Sequence, residues 1–67
     1  MYLMKIKGSG KIPDYLQIRD DDYTLIAYFR ADRLKQGLIK HKLIKYLDRI
    51  GECVENMSFG EMKYLDN

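Results

Sequence analysis

From Leu43 onward, apolar residues recur at Leu43, Leu47, Ile50, Val54 and Met57, spacings of four, three, four and three that draw one stripe along an α-helix. Carried backward, the stripe would reach positions 39–40 and then 36. Leu34 and Leu38 sit off it instead. At about 100° per residue, Leu38 lies more than a quarter-turn from the stripe's centre. A bend around Lys40-His41-Lys42 would let both sets of leucines face one core. The spacing therefore predicts two helices, one following Asp32 as N-cap and running to about Lys40, the other from about Leu43 to Met57. The alternative is one straight helix from Asp32 to Met57. Gly37 interrupts the first helix; Gly51 lies off the stripe of the second, where it weakens the helix without opening the core.

Before the helices the period drops to two. Met1–Lys7 alternates Tyr2, Met4 and Ile6 against Leu3, Lys5 and Lys7, a strand with one wet face. Gly8-Ser9-Gly10-Lys11 breaks it, and Pro13 holds Ile12 extended. Tyr15–Arg19 alternates again, with Leu16 and Ile18 inward and Tyr15, Gln17 and Arg19 outward. Asp20-Asp21-Asp22 marks a turn, because Asp satisfies its own backbone there. Tyr23–Arg30 is rich in β-branched and aromatic residues, with Leu25, Ala27 and Phe29 on one face and Thr24, Ile26, Tyr28 and Arg30 on the other. After the helices, Glu61–Leu65 alternates briefly as a closing edge strand, with Met62 and Tyr64 on one face.

These elements specify a small α+β domain over residues 1–67, in the order β-β-β-α-α-β. The sheet is mostly antiparallel, made of the N-terminal strand, a β-hairpin and the C-terminal edge strand. Two helices pack on one face, over a core of Leu25, Ala27, Phe29, Leu47, Ile50 and Val54.

Composition narrows the function classes. A chain of 67 residues buries only about 60% of its unfolded surface, so a covalent staple, a metal or self-association usually assists it. One cysteine, Cys53, excludes an intrachain disulfide, and with one histidine it cannot build a four-ligand zinc site. Self-association remains, and a homodimer is expected. The net charge of +2 does not by itself imply a polyanion partner. No apolar run reaches the ~18 residues of a membrane span, and Met1-Tyr2-Leu3-Met4 does not open a signal peptide. The expected compartment is the cytoplasm.

No motif carries catalysis. Gly8-Ser9-Gly10-Lys11 lacks the glycine spacing, the hydroxyl and the following helix of a phosphate loop, and reads as a connector. The Asp triplet lacks the spacing of a calcium loop and reads as a solvated turn, with Arg19 and Arg30 as its nearest partners. Cys53 borders the apolar stripe as a small hydrophobe, and no acid is placed to orient His41. A non-enzymatic protein needing no cofactor or metal follows. Tyr15, Arg19, Tyr28 and Arg30 on the outward hairpin face are the residue types that anchor protein interfaces, so the leading expectation is a protein-interaction module that uses this face or an exposed strand edge. The alternative is a nucleic-acid-binding domain, using Lys40, His41, Lys42 and Lys45 for phosphate contact and the tyrosines for stacking.

Overall fold

The computed structural model describes residues 1–66. Three strands come first: β1 (Tyr2–Ile6), β2 (Tyr15–Arg19) and β3 (Leu25–Arg30). A 3-10 turn at Ala31–Arg33 leads into α1 (Leu34–Lys40), and a second, Ile44–Tyr46, leads into α2 (Leu47–Asn56); β4 (Met62–Tyr64) closes the chain. All neighbouring strands are antiparallel, in the spatial order β3-β2-β1-β4. The expected α+β order is thus present. β4 returns across the sheet to pair with β1, setting Tyr64 opposite Tyr2 and Met62 opposite Met4.

The bend between the helices is a Schellman-type C-cap. Lys42 N–H donates to Ile39 O (3.1 Å) and Leu43 N–H to Leu38 O (2.7 Å), while Lys42 takes φ +61°. Those are the two bonds that close a helix on a left-handed residue, a position that usually falls to glycine. The turn brings Leu38 to complete burial and Leu43 against the core beside it. The straight-helix alternative is excluded. The second helix begins later than expected: the segment after Leu43 first winds as 3-10, and α-helix starts at Leu47.

The core consists of Met1, Leu3, Leu16, Ile18, Ala27, Leu38, Ile50 and Met57, flanked by Phe29, Leu34, Leu47, Cys53 and Val54. Three sequence expectations need correction. Leu25 is 46% exposed, because a bulge where β3 passes Ile18 and Arg19 pairs it with Arg19 and turns it to the helix-free face. Leu3 and Lys5, expected on a wet face, point to the helices. Leu3 is fully buried, and the Lys5 ammonium donates to Val54 O (2.9 Å) and Met57 O (3.0 Å). It satisfies two carbonyls at the end of α2 and places a cation at the negative pole of that helix. Asp32 caps no helix; its carboxylate holds Arg30 in a bidentate pair (Nε–Oδ1 3.1 Å, Nη2–Oδ2 2.7 Å).

Gly37 is required by close approach. A Cβ at that position would lie 2.3 Å from Phe29 Cδ1, so α1 rests its backbone directly on the ring.

Candidate functional site

Both helices lie on one side of the sheet, so no helix covers the strands' other faces. Register places Tyr64, Tyr2 and Arg19 in one row across that open face, Met62, Met4, Gln17 and Tyr28 in the next, and Ile6, Tyr15 and Arg30 in the third. The period-two alternation of each strand put these residues on one face; the pairing joined them into a surface.

The tyrosines form two groups. Tyr15 and Tyr28 stack with centroids 4.9 Å apart, and Tyr28 is 48% exposed. At the other end, Tyr2 stacks on Tyr23 at 4.5 Å and meets Tyr64 edge-on at 5.0 Å. Tyr23 reaches that place because it follows the Asp turn with φ +66°. Asp20 Oδ1 accepts from Asp22 N–H (2.9 Å) and Thr24 N–H (3.0 Å), which fixes the turn. The Tyr2 hydroxyl is held above the ordinary tyrosine pKa, first by hydrogen bonding with Tyr23, then by desolvation and neighbouring charge. Tyr64 is raised as well, chiefly by the Asp21 carboxylate.

Of the expected anchors, Tyr15 and Tyr28 stand together as predicted, but the arginines are engaged elsewhere. Arg19 donates to Tyr23 O (2.8 Å) and to Gln17 Oε1 (3.4 Å), and so braces the turn. Arg30 is taken by Asp32; the hydrogen bonding between them, and then the opposite charge, raises the guanidinium pKa and lowers that of the Asp32 carboxyl. Neither arginine pairs with the Asp triplet. Instead Asp21 receives the Met1 α-ammonium at 2.7 Å.

The expected basic set is divided. His41 stacks on Phe29 with centroids 6.1 Å apart, the Lys45 ammonium sits 5.1 Å over the Tyr46 ring, and Lys42 occupies the helix cap. Lys40 joins Tyr15, Tyr28, Arg30, Arg33 and Gln36 around a cleft of about 360 Å³ where α1 passes the end of β3. Arg33 and Gln36 in this cleft, and Tyr2, Tyr23 and Tyr64 on the open face, were not among the expected site residues. Strand parity already placed Tyr2 with Met4 and Tyr64 with Met62. Only the pairing of β1 with β2 and of β4 with β1 showed that they share a face with Tyr15 and Tyr28.

Among the described residues no group of three or more His, Cys, Asp or Glu could hold a metal ion, and no helix is long and apolar enough to cross a membrane. Cys53 is half-buried beside the core. Comparison with known protein families, curated proteins and solved structures finds no match.

Proposed function

We propose that this chain is a non-enzymatic protein-interaction module that works in the cytoplasm and self-associates through the open face of its sheet. The observation that carries this reading is the one-sided helix layer: a four-stranded sheet with Tyr2, Tyr15, Tyr28, Tyr64, Met4 and Met62 on the face no element covers. Tyr and Met are enriched at protein interfaces, and packing two such faces together buries apolar area that a domain this small cannot bury internally. Of the two arginines on the face, Arg30 is neutralised by Asp32 and Arg19 is held by hydrogen bonds to Tyr23 O and Gln17 Oε1.

Sedimentation from about 1 to 100 µM, a range that brackets micromolar self-affinity, tests the reading. The wild type should shift from monomer to dimer, and Met62→Lys, at an exposed position beside Met4, should hold the monomer. A wild type that stays monomeric throughout removes the proposal. The nucleic-acid reading has less support, because His41, Lys42 and Lys45 engage separate neighbours rather than one surface.

A further inference from the structure

One edge of the sheet, β3, has no strand beyond it and is longer than the opposite edge strand. β4, at the opposite side, is three residues long with Lys63 at its centre, which is how natural sheets blunt an edge. β3 has six residues, no proline and no lysine. Its bulge lies in the first half, so Ala27–Arg30 runs in regular register with β2. Ala31 N–H donates to Asp14 O (2.9 Å), on the β2 side. By strand alternation Phe29 and Ala27 bond to β2 as well, and the N–H and C=O of Tyr28 and the N–H of Arg30 point out from the edge.

At its C-terminal end the charge around this edge is one-sided. From position 30 to 40 the chain carries Arg30, Arg33, Lys35 and Lys40 against a single acid, Asp32. Arg30 consumes that acid. Arg33 and Lys40 line the cleft beside Tyr15 and Tyr28, and among the described residues neither is in an ion pair.

We propose that β3 accepts an extended acidic segment of another protein as a fifth strand, its backbone bonded to Tyr28 and Arg30 and its carboxylates set against Arg33 and Lys40. Main-chain pairing supplies affinity in such strand addition, and side chains at the edge supply selectivity. A second copy of this chain is a weaker match, since its own β3 arrives with the same cations at one end as well as the Asp20-Asp21-Asp22 turn at the other. The inference stands apart from self-association through the open face, and Arg33 and Lys40 belong to the cleft alone.

The test uses the full chain, isotope-labelled for NMR, with three probes: an eight-residue peptide of alternating valine and glutamate, the same peptide with lysine for glutamate, and a decathymidylate oligonucleotide. The glutamate peptide should shift the Tyr28 and Arg30 amides saturably and slow their hydrogen exchange, and it should bind at least about tenfold more tightly than the lysine peptide. Methylating alternate backbone nitrogens of the glutamate peptide should abolish binding. Arg33→Glu and Lys40→Glu, at exposed positions, should each weaken it, and the double variant should prefer the lysine peptide; unchanged β1 and β4 resonances verify their fold. No shift at about 1 mM peptide, equal binding of both peptides, or preference for the oligonucleotide would each overturn the proposal.

Discussion

Gly37→Ala should destabilise the protein, while the same substitution at Gly51 should stabilise it. Both glycines sit inside helices, and each replacement gains about 1 kcal/mol of intrinsic helix propensity. Their surroundings decide the sign. At Gly51 the new methyl would meet nothing nearer than Leu34 Cδ2 at 3.6 Å, an ordinary van der Waals contact. The propensity gain stands, so Gly51→Ala should contribute about 1 kcal/mol. At Gly37 the methyl would fall 2.3 Å from Phe29 Cδ1, 2.4 Å from Cγ and 2.7 Å from Cδ2. Cγ is the inner atom of the ring, so no small torsion relieves the overlap and the whole side chain must move off His41. Overpacking of this kind costs about 1–3 kcal/mol, and the severity of the overlap puts it at the upper end. The net loss should be about 1–2 kcal/mol after the propensity gain. For a domain of this size each kcal/mol moves Tm by about 4–8 °C, well within the reach of circular-dichroism melts. Phe29→Leu in the Gly37→Ala background should recover part of the loss, giving a favourable coupling in a double-mutant cycle. If Gly37→Ala raises Tm as Gly51→Ala does, the packing of α1 on Phe29 is not what keeps alanine out.

Lys5→Met keeps the aliphatic stem but strands the carbonyls of Val54 and Met57; chemical denaturation should show a loss of about 1–3 kcal/mol, and a neutral result would deny Lys5 its capping role. Lys42→Gly should stabilise by about 0.5–1 kcal/mol, because a left-handed conformation strains lysine by more than glycine's extra chain entropy costs; a lower Tm would argue against the helix cap. Tyr2 and Tyr64 have folded-state pKa values raised above 10.0, so their contribution to stability is fully present below pH 10 and is lost as pH rises through the raised values. In a spectrophotometric titration, Tyr2→Phe and Tyr64→Phe should each remove part of the late-ionising tyrosinate signal, and a variant whose late signal is unchanged would place that tyrosine outside the cluster.

Two properties of this protein were legible in the linear pattern, and both rest on local geometry. The 3.6-residue period of Leu43, Leu47, Ile50, Val54 and Met57, out of phase with Leu34 and Leu38, required the chain to bend near His41 for both sets to be buried. The alternation in Tyr15–Arg19 put Leu16 and Ile18 inside, because polar residues flank them on the other face. Where both faces of a strand carry bulk, the pattern was silent or misleading. β1 presents Tyr2, Met4 and Ile6 on one side and Leu3 and Lys5 on the other, and only docking with α2 turned Lys5 inward to its C-terminal carbonyls. A single extra residue at the β3 bulge moved Leu25 from core to surface, and no local signal announces a bulge without glycine. The aromatic face and the basic cleft are products of tertiary structure for the same reason. Tyr2 meets Tyr64 across 62 positions of chain, and Lys40 lines the same cleft as Tyr15 and Tyr28 only because α1 folds back past β3. Secondary structure follows from the periodicity of neighbours; a surface follows from which neighbours the register selects, and that choice is made over the whole fold.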